Sequence, residues 1–147
     1  MILLRPEGAP PSADPIQDIF RNTKTIAVVG LSSKPYRPSF EVSAYLLRAG
    51  YRIVPVNPLE REVHGLRAYA SVEEVPGEID VVDVFRKSED VPPVAEGAIR
   101  KRAKVLWLQQ GIVNEDAAKR AVAAGLTVVM DACMLVEHRR LEAPMRF

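Results

Sequence analysis

Of 147 residues only one is a cysteine, Cys133, which excludes an intrachain disulfide and the stapled architecture of small secreted domains. Long apolar runs are missing too: the longest are strand-length, far short of the ~20 residues a membrane-crossing helix needs. The N-terminus lacks the basic-then-apolar layout of a secretory signal, so a cytoplasmic protein is expected. Nor does charge of one sign dominate. Twenty Lys and Arg stand against nineteen Asp and Glu, a formal net charge of +1. No global field therefore draws the chain to nucleic acid or to an acidic membrane surface, and any anion recognition must be local.

What is present is the ordinary globular mixture, 48% hydrophobic and 27% charged, on a chain of the length of one domain. Residues 1–15 contain Pro6, Pro10, Pro11 and Pro15 with Gly8, Ser12 and Asp14. Such a stretch fixes dihedrals and removes amide donors, so it reads as a mobile or draped arm preceding a single domain at 16–147. Asp14-Pro15 marks a helix start, with Ile16, Ile19 and Phe20 on one face.

From Thr25 onward, short β-branched runs alternate with longer segments of helical spacing. Strands are expected at 25–29, 52–56, 79–85, 104–109 and 126–130, each apolar nearly throughout, as in a parallel sheet covered on both sides. The first intervening helix begins near Phe40, carries Val42, Ala44, Tyr45, Leu46 and Leu47, and stops at Gly50. A second lies within 88–102, where Pro92 and Pro93 fit only the first turn. A third spans 114–124, with Asn114 as N-cap and Glu115 and Asp116 in the first turn. Right-handed crossovers then give an α/β fold: a Rossmann-like, doubly wound sheet of about five mainly parallel strands with helices on both faces.

In such a fold the ligand crevice lies beyond the carboxyl ends of the strands. The first strand of the repeat delivers Gly30-Leu31-Ser32-Ser33-Lys34-Pro35-Tyr36-Arg37-Pro38-Ser39 to that edge. Gly30 permits close backbone approach, while Ser32, Ser33 and Ser39 supply hydroxyls. Lys34 and Arg37 supply positive charge, and the following helix adds unpaired amides and a dipole. A phosphate or diphosphate suits this loop. The competing reading is an inert turn, with Gly30 ending a strand and Pro35 and Pro38 stiffening a solvated loop. The dinucleotide fingerprint is absent, because Ser32 and Pro35 stand where its second and third glycines belong. The next strand ends in Val56-Asn57-Pro58 without an acid for a ribose diol, so NAD is disfavoured.

The sequence resembles the small stand-alone CoA-binding domain proteins, relatives of the CoA-binding domain of succinyl-CoA synthetase α subunits. The resemblance is carried by Ile26-Ala27-Val28-Val29-Gly30-Leu31-Ser32 with Arg37-Pro38-Ser39, Val54-Pro55-Val56-Asn57-Pro58, Asp80-Val81-Val82-Asp83-Val84-Phe85-Arg86, Trp107-Leu108-Gln109-Gln110-Gly111 and Glu137-His138-Arg139-Arg140-Leu141. It implies coenzyme A, or an acyl-CoA, as the ligand. Loop 30–39 would take the diphosphate, Val56, Asn57 and Pro58 would border the adenosine, and Val84, Phe85 and Arg86 would line the pantetheine side. Gln110 and Gly111 either open toward the same crevice or form a plain strand-to-helix turn. Arg86 either meets a phosphate or pairs with a carboxylate. In the synthetases a separate domain carries the chemistry, so binding without catalysis is implied.

Cys133, Glu137 and His138 are the residues that admit an enzymatic alternative, a thiolate activated by an imidazole acting on an acyl-CoA or nucleotide-linked substrate. Asp131 or His64 could extend the set toward a metal. Against this, Met134-Leu135-Val136 places Cys133 at the start of a packed helix, where a thiol behaves as a small hydrophobe. His64-Gly65 reads as a turn, and Trp107 as core or subunit interface, leaving a homodimer open.

Overall fold

The structure is a computed structural model that describes residues 1–142. Its central sheet contains β1 (Ile2–Leu4), β2 (Thr25–Val29), β3 (Arg52–Val56), β6 (Val81–Val84), β7 (Val105–Leu108) and β8 (Thr127–Met130). The strand order is β1-β8-β7-β6-β2-β3. The last five strands in this order are mutually parallel, whereas β1 runs antiparallel to β8. The expected α/β doubly wound architecture is borne out, with one more strand than the sequence indicated.

That extra strand lies within the arm. Ile2, Leu3 and Leu4 pair with Met130, Val129 and Val128. Alternation sends Leu4 toward one core cluster and Leu3 toward the other, which ties the start of the arm to the core. Pro6 follows at once, which stops the ladder from growing and keeps this edge short.

Helices cover the sheet on both sides. On one side α3 (Val91–Arg100) and α4 (Glu115–Ala123) bury Ala95, Ala98, Ala117, Ala118 and Ala121 against Val82, Val84, Leu106 and Leu108. The small alanines let both helices approach the strands closely. On the other side lie α1 (Pro15–Asn22), α2 (Pro38–Arg48) and α5 (Met134–Glu142). They bring Ile19, Phe20, Leu46 and Met134 onto Val28, Val81 and Trp107. Trp107 is core: it is fully buried and its Nε1 donates to the Ala132 carbonyl at 2.8 Å.

Local signals explain the helix ends. Asp14 accepts the Gln17 amide and Asn114 accepts the Ala117 amide, both from the N-cap position. Pro15, Pro38 and Pro92 each occupy a first turn, where their missing amides cost nothing. Pro38 therefore starts α2 earlier than Phe40. A small hairpin, β4 (Glu62–Val63) and β5 (Leu66–Arg67), was not anticipated as strands. Its turn residues His64 and Gly65 both have positive φ, 55° and 73°, as a two-residue hairpin turn of mirror-image type requires. Among the described residues no helix is long and apolar enough to cross a membrane.

Candidate functional site

From β2 the chain goes outward to β3, then crosses back to β6 on the far side of β2. The sheet's direction of winding thus reverses between β2 and β6, and connections leave the carboxyl ends of these two strands in opposite directions. A crevice must open there. Its volume is about 710 Å³, and it is bordered by three segments, loop 30–39, the turn after β3 and the residues after β6, with Ile112 of the turn after β7 completing the lining.

Gly30 sits at the base of this crevice with φ +84°. A Cβ placed there would collide with the Phe85 carbonyl oxygen, so both the dihedral and the close approach of two backbones demand glycine. The Gly30 amide donates to the Val56 carbonyl at 2.8 Å, and the Phe85 amide to the Val29 carbonyl at 2.8 Å. These bonds extend the parallel ladders one step into the loops and hold the three segments in fixed relation.

Beyond Gly30 the loop folds on its own side chains. The Ser32 amide donates to Ser39 Oγ and the Lys34 amide to Ser32 Oγ, each at 3.1 Å. The Ser33 amide donates to Glu60 Oε2 at 2.6 Å. Asn57 is buried and cross-links the segments: its Nδ2 donates to the Leu31 carbonyl at 3.1 Å, while its Oδ1 accepts the Leu59 amide at 3.0 Å. No side chain caps α2, so its positive end faces the crevice beside the exposed Lys34 and Arg37.

Of the residues expected at the site, Gly30, Ser32, Ser33, Lys34, Arg37, Pro38, Ser39, Asn57, Phe85 and Arg86 line this one crevice. Leu31, Val56 and Val84 do not. Their side chains are fully or almost fully buried in the core, because each lies on a strand or at its immediate end with an inward-facing position. Pro58 is exposed and Gln110 and Gly111 lie outside the lining. Gly111 is a turn residue, φ +83°, whose amide donates to Asp131 Oδ1 at 2.7 Å.

Four lining residues escaped the sequence reading: Leu59, Glu60, Lys87 and Ile112. Lys87 continues the basic pair begun by Arg86, and Asn57-Pro58 announces the turn that presents Leu59 and Glu60. Ile112 follows a turn glycine and carries no local signal. Lys34, Arg37, Arg86 and Lys87 form no ion pair among the described residues, so of the two readings of Arg86 the carboxylate bridge is not formed there.

The residues of the enzymatic alternative lie elsewhere. His138 is 8% exposed; its Nδ1 meets the Tyr45 hydroxyl at 2.8 Å and its ring packs edge-on against Phe20 and Tyr51. Cys133 packs against the same cluster. His64 Nε2 lies 2.9 Å from the buried Ser43 Oγ, and its ring packs at a tilt against Phe40. Desolvation lowers the His64 pKa, partly offset by a bond to the Phe40 carbonyl. None of the three lines the crevice. The described residues contain no group of three or more His, Cys, Asp or Glu placed to hold a metal.

Known proteins resemble this chain in sequence and in fold. An uncharacterised protein of Bacillus subtilis, YneT, is 48% identical over 128 residues, covering 87% of this chain and 95% of that protein. A solved structure of a hypothetical protein from Pyrococcus horikoshii superposes with a TM-score of 0.86 at 42% identity, covering 96% of this chain and 99% of that one. The α subunit of an ADP-forming acetate–CoA ligase II from Pyrococcus furiosus is 45% identical over 65 residues, 44% of this chain but only 14% of the ligase subunit. The model of the CoA binding domain family matches residues 24–139, a span that begins just before β2 and takes in all three segments of the crevice. The chain belongs to the CoA binding domain family.

Proposed function

We propose that this chain is a small cytoplasmic CoA-binding module that holds CoA or an acyl-CoA in the crevice at the β2/β6 reversal and performs no catalysis of its own. The observation that carries the reading is the convergence of four cations with no ion pair among the described residues, Lys34, Arg37, Arg86 and Lys87, with the uncapped end of α2 on one crevice. A ligand with several phosphates answers all of them at once, since charge-assisted bonds to phosphate are the strong ones. Phe85, Leu59 and Ile112 give the same crevice apolar walls, suited to a base and to the uncharged pantetheine arm. Family membership supports CoA over other polyanions, and the absent dinucleotide glycines weigh against NAD. Cys133 and His138 are assigned packing roles, because both belong to the cluster beneath α1, α2 and α5 rather than to the crevice.

Calorimetric titration of verified ligand-free protein with CoA, dephospho-CoA, NAD and ATP tests the proposal. CoA is expected to bind most tightly, with dephospho-CoA weaker for want of one phosphate. Absence of measurable CoA binding, or a clear preference for NAD, would overturn it.

A further inference from the structure

Among its cations the crevice holds one acid, Glu60. Its position follows from the turn after β3. The Leu59 amide donates to Asn57 Oδ1 at 3.0 Å and the Glu60 amide to the Asn57 carbonyl at 3.2 Å, which folds the chain back over loop 30–39. Two hydrogen bonds then tie this turn to the loop. One is buried and neutral, Asn57 Nδ2 to the Leu31 carbonyl at 3.1 Å; the other is exposed and charged, the Ser33 amide to Glu60 Oε2 at 2.6 Å.

The neighbouring amides show what is unusual here. Ser32 and Lys34 donate to hydroxyls of the loop and its own helix, Ser39 Oγ and Ser32 Oγ. Ser33 donates instead to a carboxylate supplied by another element. A carboxylate on a backbone amide beside a helix N-terminus makes the same kind of bond a phosphate oxygen makes there. It also repels any anion that enters.

We propose that Glu60 is an internal competitor for the ligand's phosphates: it occupies the Ser33 amide in the ligand-free chain and must swing away when a polyanion binds. The inference rests on the reading of the crevice as a CoA site and adds a charge threshold to it. A single phosphate gains too little from the crevice to displace Glu60. A ligand that engages Lys34, Arg37, Arg86 and Lys87 together recovers the lost bond and more. The Asn57 bond is spared, so the turn itself stays anchored while the side chain leaves.

The test compares wild type, Glu60→Gln and Glu62→Gln. Glu62 is an exposed acid of the nearby hairpin that does not line the crevice, so its variant controls for loss of charge alone. CoA and inorganic pyrophosphate are titrated calorimetrically into each, and the Ser33 amide is followed by NMR. Glu60→Gln is expected to bind CoA about tenfold more tightly, and Glu62→Gln to stay within about twofold of wild type. The Ser33 amide resonance should move in ligand-free Glu60→Gln, and the two chains should converge once saturated with CoA. Equal CoA affinity in wild type and Glu60→Gln, an equal gain in Glu62→Gln, or an unmoved Ser33 amide would each overturn the competitor role while leaving the CoA site standing. If neither wild type nor Glu60→Gln binds CoA, the CoA reading falls, and pyrophosphate decides the rest: tighter binding to Glu60→Gln supports competition, and no difference overturns it.

Discussion

Asp83 is fully buried in the middle of β6, flanked in register by Val28 of β2 and Trp107 of β7. Its Oδ1 accepts from Gln109 Nε2 at 2.6 Å, and its Oδ2 has no hydrogen-bond partner among the described residues. Burial pushes this carboxyl up to about 7, with the Gln109 amide pulling the other way. The folded chain therefore keeps a proton that the unfolded chain, at its ordinary value near 3.8, has already lost. The contribution of Asp83 to stability should be greatest below about pH 4, fall as pH rises toward 7, and level off above, a total change on the order of 4 kcal/mol. Asp83→Asn removes the titration; urea unfolding at pH 5 and pH 8 should show the slope in wild type and little of it in the variant. None of this was legible beforehand. Asp83 appeared in the sequence as one position of an apolar strand, and only the sheet register shows that it faces Val28 and Trp107 rather than solvent. Gly30 is a mixed case: a glycine directly after an apolar strand marked a special backbone position, read as room for a ligand, whereas the structure shows that the Phe85 carbonyl is what demands the glycine.

At the scale of elements, legibility followed the strength of the local rule. The strands at Thr25–Val29 and Arg52–Val56 matched their expected bounds, since long β-branched runs bury both faces. Strands β1, β4 and β5 have only two or three residues, too few for any period to emerge, and each exists because a neighbour offers it an edge or a turn. Helix starts were legible where a cap residue stood in place. Asn114 is the fullest example: its Oδ1 accepts the Ala117 amide, and its Nδ2 donates to the Ser88 carbonyl, both at 3.0 Å. It thus caps α4 and joins that helix to the turn preceding α3. Asn114→Ala should cost about 1–2 kcal/mol of unfolding free energy, while Asn114→Asp, which keeps the cap and loses only the Nδ2 bond, should fall between the alanine variant and wild type. Chemical denaturation of the three proteins at one pH checks the order.

Across the whole molecule, a net charge of only +1 coexists with a locally basic crevice. Arg100, Lys104, Arg120 and Arg140 are each paired with a carboxylate on the surface, which neutralises them where they stand. Lys34, Arg37, Arg86 and Lys87 pair with no carboxylate among the described residues, so the crevice at the reversal of the sheet keeps the positive charge of its lining. The loop's share of this was legible from Lys34 and Arg37. The contribution of Lys87 and the opposing Glu60 required the topology that brings β3 and β6 to either side of β2. Because the four cations are wholly or partly exposed, their attraction for a polyanion is screened by salt, and CoA affinity should fall steeply toward about 1 M salt, where the screening length shrinks to ~3 Å. Reversing two of them, Lys34→Glu with Arg37→Glu, should weaken CoA binding by roughly a hundredfold or more while shifting thermal unfolding little, since neither side chain has a structural partner beyond the Arg37–Tyr36 ring contact. Calorimetric titration beside a thermal melt separates the outcomes: lost affinity with an intact melt places the anion site in this loop. Unchanged affinity would move it elsewhere on the chain and leave the crevice to assembly.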